Sequence, residues 1–123
     1  MKEKMTYQEF KQKVKEGIFD ENGECPVTPV LKMLQGKWKN QVLYELCMQD
    51  TVRFGGLKKA LPGITNTMLA SVLKELEADG LVKREQFNEI PPHVEYSFTK
   101  KGRDLLPIFY IMMNWGFEYN QKK

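Results

Sequence analysis

Gly63-Ile64-Thr65-Asn66-Thr67-Met68-Leu69-Ala70-Ser71-Val72-Leu73-Lys74-Glu75-Leu76 is the stretch whose reading decides the fold. The breaker pair Pro62-Gly63 ends whatever precedes it. Thr65 is placed to cap a helix, because its side-chain oxygen can accept from an otherwise unpaired N–H of the first turn. Ile64, Met68, Leu69, Val72, Leu73 and Leu76 then recur with a period of about 3.6 residues, one apolar stripe of a helix. The other face carries Asn66, Thr67, Ala70, Ser71 and Lys74, side chains that are small or form hydrogen bonds. Such a face is either plain solvated surface or a surface that lies against a polar partner. The neighbouring sequence separates the two.

On the N-terminal side, Phe54 to Leu61 reads as a short helix with Leu57 and Leu61 on its inner face. Gly55-Gly56 is odd inside it, since each glycine costs roughly 1 kcal/mol against alanine in a helix interior, a cost that is smaller if the pair lies in the first turn. Thr51-Val52-Arg53 before it is short and β-prone. On the C-terminal side the helix should end near Asp79-Gly80, and the period then changes. Val94, Tyr96 and Phe98 alternate with Glu95 and Ser97, the period of a strand. Leu81 to Phe87 is its partner. Asn88 to His93 lies between them and holds Pro91-Pro92, which lack N–H donors and cannot sit inside a sheet. The result is a β-hairpin with a long, stiff tip.

Further out, Thr6-Tyr7-Gln8-Glu9 is a capping box. Tyr7, Phe10 and Val14 share one face of a helix that should run to about Glu16 and stop at Gly17. Residues 18–26 read as a linker with a turn at Asn22-Gly23. Thr28-Pro29 reads as an N-cap followed by a proline at the first helical position, with Leu31 and Leu34 inward and Gly36 just past the end. A helix over about Lys37 to Met48 carries Trp38, Val42 and Leu46 in one row, with Leu43 and Cys47 beside it, a core pattern with Trp38 as its largest apolar group. Thr99 caps a last helix, Lys100 to about Glu118, apolar nearly all round in its second half and bent at Pro107.

The 123 residues suit one domain with terminal extensions. The net charge is +3, and it is uneven: residues 1–24 sum to −1 and residues 25–123 to +4. A mild positive balance permits an anionic partner without requiring one. No run of about 18 apolar residues marks a membrane span, and the charged Met1 to Met5 start has no signal-peptide core behind it. Two cysteines and one histidine complete no metal site or CxxC motif. No metal, cofactor or enzymatic activity is expected, and the expected compartment is the cytoplasm, with reduced thiols.

The order of elements gives a mainly α (α+β) fold. A short helix, a Pro-Gly turn and a longer helix make a helix-turn-helix, and the hairpin that follows makes it winged. In this geometry the second helix enters the DNA major groove and the hairpin tip reaches the backbone or minor groove. Winged helices also serve as protein-interaction modules that do not bind DNA, and that alternative stays open here. A thiol-redox enzyme built on Cys25 would lack a resolving cysteine and a base.

Several segments carry a family resemblance. They are Cys25-Pro26-Val27, Gly36-Lys37-Trp38, Arg53-Phe54, Gly63-Ile64-Thr65 with Met68-Leu69, and Leu73 to Val82. Pro91 to Thr99 and Lys101-Gly102-Arg103 continue them. In this order and spacing they resemble the HxlR-type winged helix-turn-helix transcriptional regulators, a MarR-like group. The resemblance spans about residues 25–118. It implies a homodimeric DNA-binding regulator, repressor or activator, in which terminal helices form the dimer interface. Residues 1–24 would be a dimer-associated helix and linker, 25–118 the winged domain with its C-terminal dimerisation helix, and 119–123 a tail. The chain departs from the family where Thr67, Ala70 and Ser71 replace longer basic or amide residues, and where Gly55-Gly56 replaces a commonly polar-acidic pair.

The candidate double-stranded DNA contacts are Thr65, Asn66, Thr67, Ser71 and Lys74 on the second helix. Arg53, Lys37, Lys39, Lys58, Lys59, Lys83 and Arg84 surround it as phosphate contacts, for which long cationic side chains suffice. Pro91 and His93 stand at the hairpin tip. Tyr7, Phe10, Val14, Ile108, Ile111, Met112 and Trp115 are the candidate dimer contacts, because an apolar surface helix needs a second surface to bury against. Cys25 opens a helical element near Lys32, a setting of the kind in which thiols react, and the other reading, a small structural residue, stays open. The resemblance implies that some members sense oxidants or electrophiles at this place, and that a small-molecule or oxidant effector acts on the protein. Cys47, on an apolar helix face, reads as inert core.

Overall fold

The computed structural model describes residues 4–17 and 25–120. The chain divides into two compact units, Met1–Gln35 and Gly36–Lys123. In the first, helix α1 spans Tyr7–Lys15 and α2 spans Thr28–Leu34. The second holds α3 (Lys37–Met48), β1 (Val52–Arg53), α4 (Phe54–Ala60), α5 (Asn66–Ala78), β2 (Val82–Phe87), β3 (His93–Phe98), α6 (Lys100–Arg103) and α7 (Leu106–Tyr119).

The capping box of α1 is present in both directions: Glu9 N donates to Thr6 Oγ1 at 3.1 Å, and Thr6 N donates to the Glu9 carboxylate at 2.8 Å. At α2 the expected cap moves by one residue. Thr28 lies inside the helix and Val27 takes the N-cap without a side-chain bond. Pro29 therefore sits at the second helical position, where its absent N–H also has no intrahelical partner to lose. Leu34 is buried but Leu31 is exposed, against the expectation that both face inward.

The second unit is built around α5. Leu69, Val72, Leu73 and Leu76 are buried, and α5 packs on α3 and β2. Val42, Leu43 and Leu46 of α3, Leu57 of α4, and Leu81 and Val82 also belong to this core, with Leu61, Ile64, Tyr96 and Phe98 among its other members. Each fully buried leucine contributes about 1.5–3 kcal/mol. Three apolar residues expected in the core are not there. Met68 is 45% exposed at the first turn of α5, Trp38 is half-buried, and Cys47 is exposed. Trp38 is partly covered by Lys37, whose Nζ stands 4.6 Å from the indole centroid.

The hairpin is part of a three-stranded antiparallel sheet of order β1-β3-β2. Val52 pairs with Tyr96 and Arg53 with Glu95 on one side of β3, and Val82 to Phe87 pair with Phe98 to His93 on the other. Gly55 and Gly56 fall in the first turn of α4, where the cost of a glycine is smaller than in a helix interior. A Cβ on Gly56 would stand 3.3 Å from Val52 Cγ1.

The long C-terminal helix is two helices. α6 ends at Arg103, Leu105 takes the N-cap of α7, and Pro107 is the second residue of the new helix. A proline that would bend a continuous helix instead starts one, where its fixed φ fits and no N–H is needed. Every side chain of α7 is exposed or half-buried, including Ile111 at 65% and Trp115 at 62%.

Candidate nucleic-acid interface

Thr65 begins the site. Its hydroxyl accepts from Met68 N at 3.0 Å and fixes the N-terminus of α5. The turn before it is made by Gly63 at φ 93, where a side chain would be strained. The other end closes as a Schellman motif: Leu81 N donates to Leu76 O and Gly80 N to Glu77 O, both at 3.0 Å, with Gly80 at φ 77. The helix is thus capped at both ends, with its apolar stripe in the core. Asn66, Thr67, Ala70, Ser71 and Lys74 are all exposed.

Thr67, Ser71 and Lys74 line one side of a cleft of about 810 Å³, and Arg84 of β2 and Tyr96 of β3 line the other. The structure therefore brings together four of the expected contacts: Thr67, Ser71, Lys74 and Arg84. Arg53 on β1 and Lys59 on α4 are exposed, and Lys58 is half-buried; all three stand outside this lining. Lys37 is exposed against Trp38. Lys39 is placed differently from a free phosphate contact. Its side chain is 13% exposed, and its Nζ stands 3.2 Å from Glu75 Oε1 of α5.

At the hairpin, Pro91 is exposed and follows a cis Ile90–Pro91 bond. His93 is folded back from the tip. Its ring stacks on Phe87 at 4.8 Å, Nε2 lies 3.0 Å from Glu95 and Nδ1 lies 3.7 Å from Glu89.

Sequence reasoning missed the carboxylates of this cleft. Glu75 and Glu77 line it beside Lys74, and their spacing from Lys74 was the available signal. A base-reading surface next to two acidic groups must have those groups paired or turned away, since DNA phosphates repel them.

Cys25 is exposed, and its carbonyl accepts from Thr28 N at 2.9 Å at the entry to α2. Cys47 faces an apolar groove of about 430 Å³ between α3 and α7, lined also by Tyr44, Phe109, Tyr110, Met112 and Met113. Partial burial pushes its thiol up from the ordinary value, so less of it is thiolate. Among the described residues, no group of three or more His, Cys, Asp or Glu is arranged to hold a metal, and no helix is long and apolar enough to cross a membrane.

A short helix, a glycine turn, a capped helix with an exposed polar face and a hairpin beside it define a winged helix-turn-helix. The model of the HxlR-like helix-turn-helix family matches residues 33–123, and the chain belongs to that family. It is 44% identical over 93 residues to the uncharacterised HTH-type transcriptional regulator YdzF of Bacillus subtilis (strain 168), covering 76% of this chain and 85% of that one. Among solved structures, the redox regulator HypR in its reduced form is 41% identical with a TM-score of 0.72, covering 79% of this chain and 95% of that one. The reduced transcriptional regulator YodB of B. subtilis is 31% identical with a TM-score of 0.71, covering 78% and 94%. The protein is a DNA-binding transcriptional regulator of this family.

Proposed function

We propose that the protein is a homodimer that reads an operator by placing α5 in the major groove and the β2–β3 hairpin on the backbone or minor groove. The observation that carries this is the cleft in which the exposed polar face of α5 meets Arg84 of the hairpin. Asn66, Thr67 and Ser71 supply short polar groups for base edges, Thr65 the N-terminal N–H groups for a phosphate, and Lys74 and Arg84 the phosphate grip. Arg53, Lys37, Lys58, Lys59 and Lys83 add positive potential around them. The side chains on α5 are short, so phosphate contacts carry more of the affinity than base contacts.

Dimerisation rests on α7. A helix whose apolar residues include Ile108, Ile111, Met112 and Trp115, all half or more exposed to water or nearly so, is stabilised by a second apolar surface. Tyr7, Phe10 and Val14 of α1 are likewise exposed and belong to the same role. Two copies on a two-fold axis present their α5 helices to half-sites about 34 Å apart.

Cys25 is the thiol through which an oxidant or electrophile acts on this regulator. Its exposure supports that role, and so does the likeness to HypR, a redox regulator. A gel shift with the region upstream of the protein's own gene, before and after diamide, tests both parts. The reading expects a shifted band that weakens on oxidation in the native protein and persists in Cys25→Ser. Absence of any shift removes the operator reading, and an unchanged band after diamide removes the thiol.

A further inference from the structure

Lys39 is the residue whose structural setting departs most from its expected role. It lies on α3, outside the helix-turn-helix, and reads in the sequence as one more cation for phosphate. The fold instead nearly buries its side chain and sets its ammonium 3.2 Å from Glu75, whose own side chain is 57% exposed. Glu75 follows Lys74 on α5, and both line the cleft between α5 and the hairpin. Glu77 lines the same cleft one turn-half further on.

Two physical effects follow from this pair. The first is charge. A free carboxylate beside Lys74 would repel the phosphates that Lys74 is placed to meet, and pairing reduces that repulsion. The second is position. Lys39 is rooted in α3, which packs directly on α5, so the ion pair ties the outer part of α5 to a core helix. A half-exposed pair adds little stability by itself, because water screens it and two long side chains must be ordered. Its effect is on the potential and orientation of the DNA-facing cleft.

We infer that Lys39 is a positioning residue for DNA binding that acts through Glu75, holding and neutralising that carboxylate so that Lys74 and the polar face of α5 can approach the duplex. This rests on the reading of α5 as the groove-entering helix. A direct phosphate contact by Lys39 predicts different behaviour in a double-mutant cycle, and that difference is the test.

The cycle uses the full chain with Lys39→Met, Glu75→Gln and the double variant, binding a fluorescein-labelled duplex of the region upstream of its own gene. Thermal melts accompany each variant, and Lys39→Arg provides the charge-conserving control. The expected result is a loss of about fivefold for Lys39→Met, the scale of one part-screened charge pair. Lys39→Arg stays near the native affinity. Glu75→Gln alone binds as well as the native protein or better. In the Glu75→Gln background, Lys39→Met has no further effect, and the slope of log affinity against log salt equals the native one. A loss for Lys39→Met that persists with Glu75→Gln, with a salt slope reduced by about 1, makes Lys39 a phosphate contact and overturns the inference. If Ser71→Ala and Lys74→Ala leave the native affinity unchanged, the reading of α5 fails, and the Lys39 role falls with it.

Discussion

Lys101 Nζ donates to the main-chain carbonyl of Asp79 at 2.7 Å, from the second residue of α6 onto the C-cap of α5. Thr99 adds to this joint: its hydroxyl donates to Gly80 O and accepts from Gly102 N at 3.0 Å, and its own N–H donates to Leu81 O at 3.1 Å. The C-cap carbonyl of α5 and the two carbonyls after it, Gly80 O and Leu81 O, are thus satisfied by the segment that leads into α7. The polypeptide can make this approach only because residue 102 has no side chain. A Cβ there would lie 2.1 Å from Leu81 O and 2.7 Å from Phe98 Cδ1.

Gly102→Ala is therefore expected to destabilise the fold by about 3 kcal/mol, since the obstructing atom is backbone and cannot rotate away. The gain of up to about 1 kcal/mol in helix propensity is too small to offset it. Urea unfolding followed by far-UV circular dichroism checks this, as a fall in midpoint with an unchanged slope. A native midpoint would mean that α6 does not sit on Leu81.

Thr65→Ala removes the cap of α5 and should lose about 1 kcal/mol of stability, while Thr65→Ser retains it. The affinity for DNA should fall with the alanine and hold with the serine. Paired melting and gel-shift titrations separate the two effects, because a 1 kcal/mol loss leaves the protein folded at the assay temperature. Equal behaviour of the alanine and serine variants would remove the hydroxyl from the account.

Lys74→Ala should weaken binding on every duplex by a similar factor and lower the salt slope by about 1, as a phosphate contact does. Ser71→Ala, by contrast, should change the ranking of duplexes that differ at single base pairs. Fluorescence anisotropy over a small panel of such duplexes reads both. A sequence-selective loss for Lys74→Ala contradicts its assignment.

Ile111→Glu places a charge on the exposed apolar surface of α7 and should convert the proposed dimer to a monomer at micromolar concentration. The secondary structure should be unchanged, because Ile111 is 65% exposed and contributes little to the core. Sedimentation velocity reports the change. A native sedimentation coefficient for this variant would move the dimer interface away from α7.

Much of the fold was legible because local patterns carried it. The stripe from Ile64 to Leu76, the Thr65 cap and the Gly80 stop all reflect short-range geometry. The pairing of β1 with β3 was not legible. It joins a two-residue strand to one some forty residues away, and two residues carry no period. The apolar run across Pro107 points to one bent helix, yet a proline fits the start of a helix better than its middle. The face of α3 that carries Cys47 looks like core in sequence, and only the packing of α7 shows that it borders an open groove. The partner of Lys39 could not be found by counting, since the pair joins residues 39 and 75 through the packing of two helices.

The most direct test of the central claim is a hydroxyl-radical footprint with methylation interference on the upstream duplex. Two protected half-sites are expected, centred about one helical turn, or a small multiple of it, apart. Interference should fall at major-groove guanines within each half-site and be lost at specific guanines in Ser71→Ala. Protection without major-groove interference, or interference unaltered by substitution on α5, would contradict the placement of α5 in the groove.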